Sequence, residues 1–184
     1  MDRTNLEEMT KNIEDFTDFF VLKLTDLKRH SFIADQQSSF FNEAKQNLVP
    51  GTVLIGGDFS ENYHYIVQDA AQGYHWANDQ ITIHPFIVYY KESDRLLSMS
   101  IAMLSDELNH DTVAVYSFQK VLIEYLRDKL KMEKIIYFSD GCLAQYKNKK
   151  NFANLVNHKD DFQIPAEWHF FATAHGKGKL FYSY

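Results

Sequence analysis

A short apolar run follows a break at Pro50 and Gly51 and reads Thr52-Val53-Leu54-Ile55-Gly56-Gly57-Asp58. Its unbroken apolar run predicts a short strand that is buried on both faces, as at the centre of an α/β sheet. A second stretch of the same kind reads Lys134-Ile135-Ile136-Tyr137-Phe138-Ser139-Asp140-Gly141. Both runs end at an aspartate beside a glycine, so the sequence predicts two central strands with the same kind of ending.

Further strands and helices are predicted around these two strands from β-forming residues and from apolar periodicity. The predicted elements are a β-rich stretch at 63–67, strands over 81–91 and 96–104, a helix over 112–130, a strand over 134–138, a helix over 142–157 and a strand over 167–173. Asp111 is placed to cap the first of these helices. A three-strand meander followed by helix, strand, helix and strand predicts a mixed α/β sheet flanked by helices.

Residues 1–50 predict a helical N-terminal extension, and residues 51–184 form the predicted α/β domain. Apolar residues recur at helical spacings at Leu6, Met9, Ile13, Phe16, Phe20 and Leu24. Thr4 and Glu7 resemble a capping box, and a second helix is predicted over 31–48, before the break at Pro50. We therefore expect a helical hairpin that docks on the α/β domain.

The composition is that of a chain that can bury a core. It has 184 residues, of which 45% are hydrophobic and 15% aromatic, as expected for one globular domain. The formal net charge of −6 argues against a uniformly basic nucleic-acid binder. The single cysteine, Cys142, excludes an internal disulfide. Because the sequence has neither a secretory segment nor an apolar run of about 18 residues, we expect an intracellular protein without a membrane partner, nuclear or cytoplasmic.

Asp58 and Asp140 are the candidate metal ligands. Functional groups gather at the carboxyl ends of strands in open α/β sheets, and both aspartates come just after a predicted central strand. Two carboxylates close together repel each other unless a cation lies between them, and hard oxygen ligands select Mg²⁺ or Mn²⁺. Such ions activate water and stabilise a leaving oxygen at phosphorus, which is the chemistry of nucleic-acid strand cleavage. The alternative is that each aspartate caps a turn.

Four lysines are candidate DNA contacts. Lys147, Lys149 and Lys150 lie on the predicted helix after Asp140, and Lys177 lies in a Gly-Lys-Gly turn. Their charges suit contacts to phosphates that carry no sequence information. The alternatives are a solvated helix face for the first three and an ordinary turn for Lys177.

Two further residues are considered for the same site. His175 lies next to the Gly-Lys-Gly turn and is a candidate acid–base group, since histidine titrates near neutral pH. Glu61 follows Asp58 by three positions and reaches the same site only if the chain turns there, because in an extended strand it faces away.

Four parts of the chain together carry a resemblance to a known family. They read Gly56-Gly57-Asp58-Phe59-Ser60-Glu61-Asn62-Tyr63; His75-Trp76 with Ile83-His84-Pro85-Phe86; Phe138-Ser139-Asp140-Gly141 with Gln145-Tyr146-Lys147-Asn148-Lys149-Lys150-Asn151-Phe152; and Trp168-His169-Phe170-Phe171-Ala172-Thr173-Ala174-His175-Gly176-Lys177-Gly178. In combination they resemble a group of transposon-derived proteins with a DDE-type transposase core. The resemblance covers roughly residues 51–179.

The resemblance implies a ribonuclease-H-like fold, with Asp58 as the first-strand acid and Asp140 as the fourth-strand acid. It also implies Mg²⁺ or Mn²⁺ as cofactor, transposon-end DNA as partner, and a third acid on a helix after the last strand. No acid follows Glu167, so the domain is expected to be truncated at its C-terminus. We expect a transposase-like domain for metal-dependent DNA strand cleavage or transfer. The alternatives are a domesticated, non-catalytic DNA- or protein-binding module and an inactive relic.

Overall fold

The protein is described here by a computed structural model that covers residues 8–64 and 80–171. Within these ranges the chain is mixed α/β, with a mixed sheet and three α-helices. In chain order, the elements are α1 (Ile13–Gln46), β1 (Thr52–Gly57), β2 (Tyr63–His64), β3 (Gln80–Glu92), β4 (Arg95–Ser105), α2 (Thr112–Arg127), β5 (Lys134–Ser139), α3 (Lys149–Phe162) and β6 (Ala166–Phe170).

The sheet places β1 and β5 side by side at its centre. β1 pairs antiparallel with β3 on one edge and parallel with β5 on the other. β4 pairs antiparallel with the outer edge of β3, and β6 pairs parallel with β5. The short β2 pairs with the beginning of β3. The predicted mixed sheet is therefore confirmed, and its two aspartate-ended strands are neighbours.

β1 is buried on both faces, as its apolar run predicts. Five of its six residues are buried. Val53 and Ile55 point into a core cluster that includes Leu122 of α2. Leu54 belongs to the cluster on the opposite face, where it joins Phe41 of α1. The two faces of the central strand are thus covered by different helices.

α2 begins where the sequence predicts. The Asp111 side chain accepts hydrogen bonds from the backbone N–H groups of Val113 and Ala114, both at 2.9 Å. The helix ends at Arg127, three residues earlier than expected. Its apolar side packs on the sheet, and this burial holds the connection between β4 and β5 against the core.

α3 is fixed to the sheet by a buried histidine. The His158 Nδ1–H donates to the carbonyl of Ile164 at 2.7 Å, so Nε2 accepts the hydroxyl of Tyr137 at 3.0 Å. Burial lowers the pKa of His158, which keeps the ring neutral. The helix is thereby tied to β5 near the middle of the strand.

The predicted helical hairpin at the N-terminus is wrong. α1 is one continuous helix, because the residues between the two predicted helices include neither glycine nor proline to break it. It begins after Asn12, whose side chain accepts the Asp15 N–H at 2.9 Å, while the expected capping box lies outside the described residues. Ala34 and Phe41 are the buried residues of the helix, so only its C-terminal part docks on the sheet.

The predicted helix over 142–157 begins and ends later than expected. The Asn148 side chain caps α3 by accepting the Asn151 N–H at 3.0 Å, and the preceding residues form turns. Lys147 consequently precedes the helix instead of lying on it. β6 is also shorter than the predicted strand over 167–173, whose last two residues lie outside the described range.

None of the helices in the described parts of the chain combines the length and apolar character that a bilayer-spanning segment needs.

Candidate functional site

Asp58 and Asp140 follow the ends of the two central parallel strands. Gly56 of β1 is paired with Phe138 of β5, and each aspartate comes two residues after its member of this pair. The paired register ends there; continued for two more positions at the usual strand spacing of about 4.8 Å, it predicts that the two aspartate backbones lie close together. Matching positions of parallel strands project toward the same face. Asp58 is only 5% exposed and Asp140 is half-buried.

Gly57 allows two rings to pack against β1 directly before Asp58. A Cβ atom at this position would lie 2.8 Å from the Phe86 Cδ1 atom and 2.9 Å from the His84 Cε1 atom. Both distances are shorter than a carbon–carbon contact allows. The glycine is therefore needed for close packing between the end of β1 and the facing part of β3.

Tyr146 joins the candidate site from the loop before α3. Its hydroxyl lies 2.9 Å from His84 Nε2, and the side chain is buried. Burial raises the pKa of Tyr146 well above its ordinary value, and the negative charges of Asp58 and Asp140 raise it further. The charges of both carboxylates therefore act on the same buried hydroxyl. The hydroxyl stays protonated at neutral pH.

His84 is a neutral, buried ring beneath this site. Burial lowers the pKa of His84 to about 3. The ring stacks on Phe86 with centroids 4.2 Å apart and meets the edge of Phe59 at 4.4 Å. Among the described residues, Nδ1 has no hydrogen-bond partner. His84 and Tyr146 therefore form an uncharged pair beside two acidic side chains.

Asp140 has a structural contact in addition to its place at the strand end. Its Oδ1 atom accepts the Cys142 N–H at 3.0 Å, which is the turn-capping role considered for this residue. Oδ2 accepts no hydrogen bond from the residues that the structure describes. Trp168 Nε1 donates to the Ser139 hydroxyl at 2.9 Å, and that hydroxyl donates to the Asp140 carbonyl. The Oδ1 contact therefore orients the carboxylate, and the contacts through Ser139 hold the backbone of Asp140.

Three of the candidate lysines lie near the same end of the sheet. The Lys147 side chain lies beside Gly141, because a Cβ atom added to that glycine would be 4.0 Å from the Lys147 Cδ atom. The Lys147 ammonium lies 5.6 Å from the centroid of the Phe170 ring. Lys149 and Lys150 occupy the first turn of α3 and are exposed. They line a groove of about 380 Å³ that also includes the first residues of α2. A larger cavity of about 440 Å³ lies at the opposite end of β1, beside Gly51, and contains none of the candidate residues.

The remaining candidates are not brought to the site by the described structure. His175 and Lys177 lie outside the described residues. Glu61 is exposed. Within residues 8–64 and 80–171, no group of three or more histidine, cysteine, aspartate or glutamate side chains is arranged to hold a metal ion.

Two residues of the site, His84 and Tyr146, were missed by sequence reasoning. They are 62 positions apart, so no local pattern joins them. The available signal was a histidine inside a strongly apolar strand run, Ile83 to Val88. Such a histidine needs a polar partner or must remain neutral when buried.

Comparison with known proteins identifies a family. The chain matches the model of a family described as Domain of unknown function (DUF8701) over residues 37–180, which is most of its length, and it belongs to that family. No curated protein matches the sequence.

Two solved structures share limited similarity with the chain. A crystal structure of NurA is 15% identical, with 84% of this chain and 38% of that chain covered and a TM-score of 0.23. A crystal structure of NurA bound to dAMP and manganese is 17% identical, with 81% and 37% covered and a TM-score of 0.19. The chain thus spans less than two fifths of these proteins. Scores this low do not establish a shared fold, and neither structure is described as a transposase.

Proposed function

We propose that this DUF8701 domain is a ribonuclease-H-like, transposase-related domain that cleaves or transfers DNA strands with Mg²⁺ or Mn²⁺ bound between Asp58 and Asp140. The observation that carries the proposal is the parallel pairing of β1 with β5, which ends just before both aspartates. The proposed metal site lies at the carboxyl ends of central strands, where open α/β sheets bind their ligands.

The sheet order supports the ribonuclease-H-like assignment. β1, β3 and β4 form the expected three-strand antiparallel meander. α2, β5, α3 and β6 then follow in the expected order, with β5 and β6 parallel to each other and to β1. The short β2 pairs with β3 beyond the end of β1 and leaves this order unchanged.

The chemistry of the two side chains fits a divalent cation. Two carboxylates at this separation repel each other, and a shared cation removes that repulsion. Mg²⁺ and Mn²⁺ prefer such oxygen ligands, and when bound they activate water and stabilise a leaving phosphate oxygen. Asp140 is oriented through its Oδ1 contact to the Cys142 N–H, so Oδ2 is the oxygen that we assign to the cation. His84 and Tyr146 add no charge, which keeps the site acidic.

The lysines beside the site suit a DNA backbone. Lys149 and Lys150 stand in the first turn of α3, where the helix dipole is positive and lysine is unfavourable. A phosphate at the same place would interact favourably with both ammonium groups and with the helix N-terminus. We therefore assign the groove between α2 and α3 to the phosphates of the DNA.

Nicking of supercoiled plasmid tests the proposal. We expect the full chain to nick DNA with Mg²⁺ or Mn²⁺, and Asp58→Asn or Asp140→Asn to reduce the rate at least about 100-fold, as for loss of a metal ligand. Asp94→Asn, on the exposed turn between β3 and β4, is the matched control and should nick normally. Nicking that survives Asp58→Asn would contradict the proposed site.

A second candidate is a non-catalytic DNA- or protein-binding module that kept the fold. The observation that favours it is that Asp140 already caps a turn, a role that needs no metal. Under this alternative the chain binds DNA equally with and without Mg²⁺ and nicks none. The two candidates are therefore separated by repeating DNA binding and plasmid nicking across a Mg²⁺ titration.

A further inference from the structure

The strand pairing that brings Asp58 toward Asp140 stops before it reaches them. The last paired residues of β1 and β5 are Gly56 and Phe138, two positions short of each aspartate. The hydrogen bonds of the sheet therefore do not set the separation of the two carboxylates. A divalent cation needs its oxygen ligands at defined positions, above all Mg²⁺ with its octahedral geometry. Contacts beyond the strand ends consequently decide how precisely the two carboxylates are placed.

Tyr146 is anchored to the chain segment that follows Asp140. Its backbone N–H donates to the Cys142 carbonyl at 2.9 Å, and its own carbonyl accepts the side-chain amide of Asn151 at 2.8 Å. The Cys142 N–H in turn donates to Asp140 Oδ1 at 3.0 Å. Tyr146 is only 1% exposed, so close packing restricts the movement of its ring. The tyrosine is therefore a fixed part of the turns between Asp140 and α3.

The hydroxyl of the same tyrosine reaches groups that flank Asp58. It lies 2.9 Å from His84 Nε2. The His84 ring packs on Gly57, where an added Cβ atom would be 2.9 Å from His84 Cε1, and its centroid lies 4.4 Å from that of the Phe59 ring. Burial raises the pKa of the Tyr146 hydroxyl, and a hydrogen bond from the Phe59 N–H acts in the opposite direction. Gly57 and Phe59 are the two chain neighbours of Asp58, so the hydroxyl is linked to Asp58 from both sides.

We propose that the Tyr146 hydroxyl is a positioning group, which fixes the segment around Asp58 against the turns after Asp140 and so sets the affinity of the site for a divalent cation. Contacts run without a break from Asp140 through Tyr146 and His84 to the neighbours of Asp58. Groups that orient metal ligands without binding the metal typically lower metal affinity about 10–100-fold when they are removed. This inference rests on the proposed function, because it assigns Tyr146 a role in the same metal site.

A second buried tyrosine–histidine pair provides a matched comparison. The Tyr137 hydroxyl lies 3.0 Å from His158 Nε2, and both residues are 3% exposed. This pair ties α3 to β5, with the other ring nitrogen of His158 bonded to the Ile164 carbonyl. Loss of either tyrosine hydroxyl leaves a buried histidine nitrogen without its partner, so both Tyr→Phe changes are expected to destabilise the fold. Of the two hydroxyls, that of Tyr146 is the one linked to the neighbours of Asp58.

Amide hydrogen exchange tests the positioning contact without a metal. In Tyr146→Phe, the Phe59 N–H should exchange faster than the loss of overall stability explains, because the segment beside Asp58 opens locally. The Ile55 N–H, in the part of β1 that is paired on both edges, should follow overall stability alone. Tyr137→Phe should change both amides only through overall stability. Exchange at Phe59 that matches exchange at Ile55 in Tyr146→Phe would overturn the proposal.

Calorimetric titration of the full chain with Mn²⁺ tests the effect on the metal site. Tyr146→Phe should weaken Mn²⁺ binding about 10–100-fold, whereas Tyr137→Phe should bind Mn²⁺ as the unchanged chain does. Circular dichroism checks that the variants are folded, and His84→Gln, which alters the same contact from β3, should weaken binding as well. Equal Mn²⁺ affinities for the folded Tyr146→Phe and Tyr137→Phe variants would overturn the positioning role alone. An unchanged chain that binds no Mn²⁺ would overturn the proposed metal site together with this inference.

Discussion

Asp58 follows Gly56 by two residues, and Asp140 follows Phe138 by two residues. Gly56 and Phe138 are paired with each other across β1 and β5. This relationship is produced by the parallel register of two strands that are 82 residues apart in sequence, as the positions 56 and 138 show. A parallel neighbour needs a crossover connection, and here β3, β4 and α2 lie within it. The intervening elements therefore determine which two strand ends meet.

Gly57→Ala is expected to destabilise the fold. The added methyl group would meet the rings of Phe86 and His84 at 2.8–2.9 Å, so one ring or the strand must shift. Overpacking of this kind costs about 1–3 kcal/mol of unfolding free energy. Urea denaturation measures it, with Gly141→Ala as control, because there the nearest atom, the Phe171 carbonyl oxygen, lies at 3.8 Å. Equal stabilities for the two variants would contradict the packing described for Gly57.

The unfolding free energy is expected to fall as the pH drops below about 6.5. Burial lowers the pKa of His84 from 6.5 to about 3 in the folded state. Between pH 6.5 and pH 3 the unfolded chain therefore binds a proton at His84 that the folded chain does not. The stability that the buried neutral ring contributes is fully present above pH 6.5. Below that pH the unfolding free energy falls by at most about 1.4 kcal/mol per pH unit on account of this group. The lowered pKa of His158 acts in the same direction.

The histidine that causes this dependence can be identified by substitution. Urea denaturation between about pH 7 and pH 4.5 should give a shallower slope for His84→Gln than for the unchanged chain. His64→Gln, at an exposed position on β2, serves as the comparison variant. Parallel slopes for both variants would show that His84 does not control the acid sensitivity.

Tyr146→Phe is expected to cost stability through His84. Loss of the hydroxyl removes the partner of the His84 Nε2 atom, which lies 2.9 Å away in a buried environment. A buried polar atom left without its partner costs about 1–3 kcal/mol. Thermal or urea unfolding should reveal this loss, while Tyr125→Phe, at an exposed position on α2, should change the stability little. An unchanged stability for Tyr146→Phe would argue against the described pair.

Lys150→Glu is expected to weaken DNA binding without affecting the fold. If Lys150 contacts a phosphate, its replacement should reduce the affinity for DNA about tenfold. The slope of log affinity against log salt concentration should become shallower by about one, because about one fewer counterion is released on binding. Fluorescence anisotropy with a labelled duplex at several salt concentrations measures both quantities. Lys120→Glu, an exposed lysine on α2, changes the charge equally and should have a smaller effect. Equal effects would indicate a general charge contribution and not a contact at the groove.

The sequence predicted the elements whose signals are local. The apolar run of β1 and the cap at Asp111 are read directly from neighbouring residues, and both are confirmed. The start of α3 was misplaced because two side-chain contacts hold the preceding residues in turns: Asp140 Oδ1 accepts the Cys142 N–H, and Asn148 Nδ2 donates to the Leu143 carbonyl. α1 was divided in two although no helix-breaking residue separates its halves.

The candidate site was only partly predictable for a similar reason. Strand ends indicated Asp58 and Asp140, but their register depends on pairing between distant segments, which no local pattern specifies. The His84–Tyr146 contact likewise joins residues far apart in the chain. The roles of the two aspartates in metal binding remain predictions.

An anomalous difference map from crystals soaked in Mn²⁺ shows directly whether Asp58 and Asp140 share a metal ion. We expect one peak bonded to both the Asp58 and the Asp140 carboxylates at about 2.0–2.3 Å, the usual range for metal–oxygen bonds of this class. A map without this peak at saturating Mn²⁺, or carboxylates that project from opposite faces of the sheet, would contradict the proposed site.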